Sequence, residues 1–276
     1  MKRVNKIIWF VLIVSLMIAC SENENTPTGP EITETAAGYY PGGLGSTFNF
    51  RYDTLNSVSN AFDAVGTRSS EFSEYAVSGN SENIVQENTL NVGGANTNST
   101  LKLRRTNAGV YFLIDSLDIL PLIEMLPDSI KDRIEFQIDS EIIAFSTPLQ
   151  PAKDWIAFKA LVVLKDFGIN YTLAELEVFY EGEEEIFVEA VSENRLSKKL
   201  RYEFRLSIPD VTSNIFNALL NPTVTTFNTI GWFVKDVGLV KLEGNTFLIN
   251  SLNSGSLTIT DTTGIARETL TSFNLN

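Results

Sequence analysis

Apolar and polar residues alternate with a period of two over most of this chain. In STFNFRYDT, Phe48, Phe50 and Tyr52 alternate with Asn49, Arg51 and Asp53. In LRYEFRLSI, Leu200, Tyr202, Phe204, Leu206 and Ile208 alternate with Arg201, Glu203, Arg205 and Ser207. Such alternation marks strands with one buried face, because successive side chains of a strand point to opposite sides. Similar segments lie near 71–78, 83–92, 99–105, 109–115, 134–145, 156–165, 171–180, 185–192, 225–234, 238–242, 246–251 and 256–261. Asn107-Ala108-Gly109, Glu181-Gly182, Gly244-Asn245 and Ser254-Gly255 read as the turns between them. The expected fold is mainly β: a single antiparallel, strongly curved sheet or barrel-like domain.

Two stretches leave that period. Leu117, Leu120, Ile123 and Leu126 have helical spacing within 115–134, and Pro121 and Pro127 cut the stretch into short pieces. Val211, Ile215, Phe216 and Leu219 share a helical face within 209–222, with Pro222 beyond the end. Both are expected to be short helices capping the sheet, either as core plugs or as a lid over a cavity.

The N-terminus follows a third pattern. Lys2, Arg3 and Lys6 precede a predominantly apolar run from Ile7 to Ala19, with Ser15 its one polar residue. A basic region followed by an apolar run of this length reads as a secretory signal. Thirteen helical residues reach only about 20 Å, too short to span the hydrocarbon core of a membrane. The run stops at Cys20, the one cysteine of the chain. Met17-Ile18-Ala19-Cys20 resembles a bacterial lipobox, with Leu16 one place before the usual leucine position. That resemblance implies cleavage before Cys20, a diacylglycerol on its thiol and acylation of its new amino group. Two or more acyl chains give durable attachment where one is marginal. Ser21 resembles the residue after the cysteine in lipoproteins sorted to the outer membrane, periplasmic or surface-facing, and Glu22 and Glu24 weakly resemble surface-export signals. The expected organisation is a signal peptide over 1–19, a lipidated cysteine and flexible tether over 20–38, and a β domain over 39–276.

Charge and composition narrow the function. Losing three cations from a chain of net charge −13 leaves −16. This argues against nucleic acid as a partner and against charge-driven binding to anionic lipid. The chain has no histidine, so the commonest general base and zinc ligand are missing. With Cys20 lipidated, no disulfide remains to be formed. Glu181, Glu183, Glu184 and Glu185 around Gly182 fit no calcium loop and read as a solvated hairpin tip. Ser197-Lys198-Lys199 reads as a surface turn rather than a Ser-x-x-Lys motif. No catalytic residue, metal ligand or cofactor is assigned.

Three segments resemble a family of secreted or lipidated, TapB-like envelope β-proteins, related to a domain of unknown function and reminiscent of half-barrel lipoprotein carriers. YYPGGLGSTFNFRYD is similar to that family's YYPL-x-VGN-x-W-x-Y opening, with Phe48 in place of its tryptophan. STPLQPAKDW places Pro148, Leu149 and Trp155 as in its PL…G…W element. IGWFVKDVGLVKLE resembles its WYA-x-GVGLVK signature through Trp232, Val237, Gly238, Leu239, Val240 and Lys241, with Phe233 and Asp236 substituted. The resemblance implies an envelope location and a β fold, and no activity. Gly238 suits a bulge or close backbone approach, and the Trp232 indole needs an acceptor, so the signature reads as a structural corner.

These observations lead to a non-enzymatic envelope lipoprotein, held to the membrane by lipid on Cys20, with a binding or accessory role. Phe48, Phe50, Phe204 and Leu206 are candidates to line a concave face that takes an apolar ligand such as lipid. The alternative is a solid-cored structural or interaction protein that recognises an envelope protein or glycan; a hydrolase comes last.

Overall fold

A computed structural model describes residues 34–114, 134–165, 168–208, 222–257, 259 and 261–276. Thirteen strands form one antiparallel sheet: β1 (Thr47–Asn56), β2 (Ala61–Ser78), β3 (Ser81–Val92), β4 (Ala95–Thr106), β5 (Gly109–Leu113), β6 (Ile134–Ile138), β7 (Glu141–Ser146), β8 (Asp154–Leu164), β9 (Ile169–Val188), β10 (Glu193–Ile208), β11 (Thr223–Val234), β12 (Gly238–Asn245) and β13 (Ile265–Asn274). Their order is β6-β8-β9-β10-β11-β12-β13-β1-β2-β3-β4-β5-β7. Two helices, α1 (Ala36–Tyr39) and α2 (Thr246–Ser254), accompany the sheet, and a 3-10 turn spans Glu189–Val191. The curved antiparallel β architecture expected from the alternation is present.

The sheet curls because its two ends belong to one stretch of chain. Residues 134–145, read from sequence as a single strand, divide at Asp139-Ser140. The first part pairs with β8 and the second with β5. β6 and β7 therefore stand at opposite ends of the strand order with two residues between them. Side chains close the seam. The Trp155 indole of β8 donates to the Ile143 carbonyl of β7 at 2.8 Å. The Tyr202 hydroxyl of β10 donates to the Ala144 carbonyl at 2.9 Å. Edge carbonyls without a strand partner need such donors.

Inward positions carry the core. On β10 these are Leu200, Tyr202, Phe204 and Leu206, all buried. Helix α2 packs on the same side. Phe247 meets Phe204 and Phe227 edge-on, with ring centroids 5.5 and 5.1 Å away. The sequence reading of 246–251 as a strand is corrected here. Asn245 caps the helix by accepting from the Leu248 amide, and Gly255 ends it with φ +71°. The presumed hairpin turns Gly244-Asn245 and Ser254-Gly255 are thus the two ends of this helix. Its buried residues come in a cluster, Phe247, Leu248 and Ile249, followed by Ser251 and Leu252, which suits a helix wedged into a core.

Other boundaries also differ. The expected strands 171–180 and 185–192 merge into one twenty-residue strand, β9, carried past Gly182 by a register shift against β10 and ending at Val188, where the 3-10 turn Glu189–Val191 takes the place of the last expected strand residues. The acidic run Glu181–Glu185 is accordingly in mid-strand and not at a hairpin tip. Ser197-Lys198-Lys199 lies in β10 and not in a turn. No strand occurs among the described residues of 256–261, whereas 61–70 and 265–274 are strands that the alternation does not reveal. The two expected capping helices fall on 115–133 and 209–221, outside the described residues. Described residues before the expected start at Tyr39 are already packed: Ala36 is fully buried, and its amide donates to the Asn107 carbonyl.

Phe247→Ala removes a side chain fully enclosed by aromatic neighbours. It is expected to lower the unfolding free energy by about 3–5 kcal/mol, measured by urea denaturation.

Candidate functional site

The described residues line a small, partly open cavity on the inner side of the sheet, of about 60 Å³. One side is aromatic and aliphatic: Phe48, Phe50, Phe72, Leu101, Phe112, Phe145, Tyr202, Phe233 and Leu252. The other is polar: Tyr40, Arg68, Ser70, Gln86 and Asn253. Pockets for small ligands typically begin near 300 Å³, so this space suits a few water molecules and not an acyl chain. Of the four proposed lining residues, Phe48 and Phe50 reach the cavity. Phe204 and Leu206 do not; they are solid core, with Phe204 packed between Phe227 and Phe247.

The polar side is built around an ion pair. Arg68 of β2 is 3% exposed and Glu268 of β13 is 1% exposed. β1 lies between them, and Arg68 reaches across it with its guanidinium 4.0 Å from the Phe50 ring centre. Its Nε donates to Glu268 Oε1 at 3.0 Å and its Nη2 to Oε2 at 2.8 Å. Nη1 donates to Ser70 Oγ and to Asn88 Oδ1. The second ring of partners extends to the helix. Asn253 Nδ2 donates to Glu268 Oε1 at 2.9 Å, and Asn88 Nδ2 donates to the Asn253 carbonyl at 2.8 Å. Gln86 Nε2 donates to Asn88 Oδ1, and the Tyr40 hydroxyl donates to Gln86 Oε1 at 2.7 Å. Burial pushes the Tyr40 hydroxyl well above the usual tyrosine range. Both oxygens of Glu268 are engaged, and so are all three nitrogens of Arg68. The network ties β2, β3, β13, α2 and the N-terminal segment together, and presents no open charge to a ligand.

None of the network stood out in the sequence. Inward positions of 61–70 include Gly66, Arg68 and Ser70, so the strand shows no apolar alternation there. The signal that remains is positional: Arg68 pairs with Phe50 and Ser70 with Phe48 across β1 and β2.

A second cluster holds the entry of the chain. Glu34 Oε1 accepts from Lys198 Nζ at 3.0 Å and from the Tyr39 hydroxyl at 2.7 Å, and Oε2 accepts from the Leu149 amide at 3.2 Å. Partial burial works to raise the Glu34 pKa, but these donors together hold it below the usual carboxylate range. Lys198 is partly buried, which favours its neutral form, yet Glu183 and Glu34 raise it well above an ordinary lysine. Tyr39 stacks on Phe145, which meets Phe233 edge-on. The Asp236 amide donates to the Gly38 carbonyl at 2.6 Å. Gly238 adopts φ +99°, and a Cβ there would sit 3.1 Å from Pro41, so both backbone shape and space favour glycine. The three segments that resemble the envelope family thus meet around residues 34–41.

Trp232 lies on the opposite side of β11. Its indole donates to Glu184 Oε2 at 3.0 Å, which holds that carboxyl below its usual range. Lys241 Nζ stands 4.4 Å from the ring centre. The acidic run around Gly182 is engaged by cations: Glu183 by Lys198, Glu184 by Lys199, and Glu181 by Arg201. A serine–lysine contact of chemical interest pairs Ser146 Oγ with Lys153 Nζ at 3.0 Å. Burial lowers the Lys153 pKa, but the amine also points at the Ser146 and Pro148 carbonyls. Three acceptors around three N–H groups make Lys153 a staple of the 146–153 loop, not a base aimed at Ser146. Cys20 lies outside the described residues.

Arg68→Met leaves the Glu268 charge buried without its partner, and a loss of about 3–5 kcal/mol in urea denaturation is expected. The double variant Arg68→Met/Glu268→Met is expected to recover most of it. For Glu34 the folded pKa lies below the unfolded value. Its stabilisation is fully present above the unfolded pKa of roughly 4.3 and is lost as pH falls through the folded value. Thermal melts of wild type and Glu34→Gln should differ at neutral pH and converge in acid.

No protein-family model matches this chain, and no curated protein does. Among solved structures it is similar to a "putative exported protein with YmcC-like fold" from Bacteroides fragilis, at 11% identity and a TM-score of 0.45, over 85% of this chain and 97% of that one. It is also similar to a "putative lipoprotein" from Parabacteroides distasonis, at 11% identity and a TM-score of 0.44, with the same coverage of 85% and 97%. The "hypothetical lipoprotein YmcC" from Escherichia coli shares 9% identity and a TM-score of 0.30, over 83% of this chain and 84% of that one.

Proposed function

We propose that this chain is a non-enzymatic envelope lipoprotein, anchored through Cys20 to the bacterial outer membrane, whose β domain recognises an envelope partner through its outer surface. The position of Cys20 carries the reading: it is the one cysteine, placed where a basic segment and a thirteen-residue apolar run end. Ser21 is the basis for the outer membrane as destination. The resemblance of residues 39–53, 146–155 and 230–243 to TapB-like envelope proteins supports the same location.

The cavity bears on the role. A space of about 60 Å³ favours recognition at the surface over carriage of a lipid inside. The non-enzymatic reading is supported by the engagement of the buried charges. Arg68 and Glu268 hold each other, and Lys153 is committed to three oxygens. A net charge of −16 after processing keeps the domain soluble and away from nucleic acid. Attachment then depends on lipid and not on charge.

Intact mass measurement of the native protein is expected to show a chain that begins at Cys20 and carries acyl groups, with no lipid retained inside after denaturing-free purification. Cys20→Ser should move the protein from the membrane fraction to the soluble one. A Cys20→Ser protein that still sediments with membranes would refute the anchor.

A further inference from the structure

The end of the β9–β10 hairpin carries two large apolar side chains in water. Phe187 is 61% exposed and Leu196 is 58% exposed. The register pairs Phe187 with Asn194, Glu185 with Leu196, and Glu183 with Lys198. Alternate residues of a strand share a face, so Phe187 and Leu196 are diagonal neighbours on one side of the hairpin. The other side is turned into the domain: Val188 and Ser197 are buried, and Ile186 packs against the core. The turn at the tip is held down as well. Residues Glu189–Val191 pack against β13, and Glu189 pairs with Arg51 at 2.8 Å. The exposed pair therefore sits on a fixed platform, not on a loose loop.

Where the chain enters the domain gives this face its partner. Lys198, on the same face as Leu196 and two residues along β10, holds Glu34. Leu196 is thus only about 7 Å along the strand from the root of the N-terminal segment. From Ser21 to Glu34 there are fourteen residues, a reach of at most about 50 Å. An acyl anchor on Cys20 confines the platform to that distance from the bilayer. Confinement converts a weak second contact into an intramolecular one at millimolar effective concentration. Phenylalanine and leucine are side chains that enter the boundary between headgroups and acyl chains.

We propose that the exposed end of the β9–β10 hairpin, through Phe187 and Leu196 on the side that farther along β10 carries Leu200 and Tyr202, is a second membrane contact that docks the domain on the bilayer holding its own lipid anchor. This rests on the lipidation of Cys20 proposed above. The contact is apolar. Lys198 is already paired with Glu183 and Glu34, and Glu185 stands opposite Leu196, so salt should not weaken it.

The test uses the acylated mature chain in vesicles of phosphatidylethanolamine and phosphatidylglycerol whose acyl chains carry bromine, a contact quencher of tryptophan. Phe187→Trp places a reporter on the platform. Val58→Trp, on the β1–β2 turn and 95% exposed, is the control. The wild-type signal, from Trp155 and Trp232, is subtracted. Phe187→Trp is expected to lose at least half its emission relative to vesicles without bromine, at low and high salt alike, with Val58→Trp unchanged. Equal emission from Phe187→Trp in both vesicles, while mass and flotation show an acylated, bound protein, overturns the docking and leaves the anchor standing. A dimer that Phe187→Ser disrupts would assign the face to a second copy and overturn it too. A mature chain without acyl groups removes the anchor and the docking together.

Discussion

A guanidinium and a carboxylate removed together from water constrain this structure more than any other contact. Arg68 and Glu268 come from strands that are about 200 residues apart in sequence and are separated by β1 in the sheet. Neither tolerates burial alone, since an unpaired charge in an apolar interior costs several kcal/mol. The pair therefore demands that β13, β1 and β2 be adjacent and in register. Its remaining valences specify more: Ser70, Asn88 and Asn253 complete the hydrogen bonds, and Asn253 fixes the C-terminal end of α2. Buried pairs of this kind need not add net stability over an apolar replacement. Their consequence is selectivity for one arrangement, because any other leaves a charge exposed to hydrocarbon.

That row forms one wall of the small cavity on the inner side of the sheet. The aromatic wall opposite and the residues of α2 leave about 60 Å³, and the seam between the sheet's ends is stitched by Trp155 and Tyr202. The outer faces of β9 and β10 are occupied by cross-strand ion pairs, including Arg205 with Glu175, Glu177 and Glu203. Such pairs on an exposed sheet contribute modestly to stability. They also keep an acidic surface from attracting further cations. Phe187 and Leu196 lie on the opposite face of the hairpin, close to the point where Lys198 grips Glu34.

The N-terminal segment is fixed to the fold at several points. Glu34, Ala36, Tyr39 and Pro41 are each held by a different part of the sheet: Lys198 on β10, the Asn107 carbonyl before β5, Phe145 on β7, and Gly238 at the start of β12. The chain thus leaves the domain at a defined place. For the lipid anchor proposed at Cys20, that exit point would decide which face can reach the membrane.

Alternation by itself determined the β class, because a strand with one buried face must repeat every second residue; it placed β1, β3, β8 and β11 close to their observed ends, and β10 at its C-terminal end only. The N-terminal run and its cysteine are likewise legible, being local patterns with a local meaning. What only the tertiary structure decided are the features that depend on distant partners. A polar inner face conceals β2 and β13, since Arg68 and Glu268 look like surface residues until each is opposite the other. One apparent strand at 134–145 splits because its two halves find different neighbours. Residues 246–251 become a helix because Phe247 fits between Phe204 and Phe227, and a run of apolar residues cannot announce which period it will follow until the cavity it fills exists.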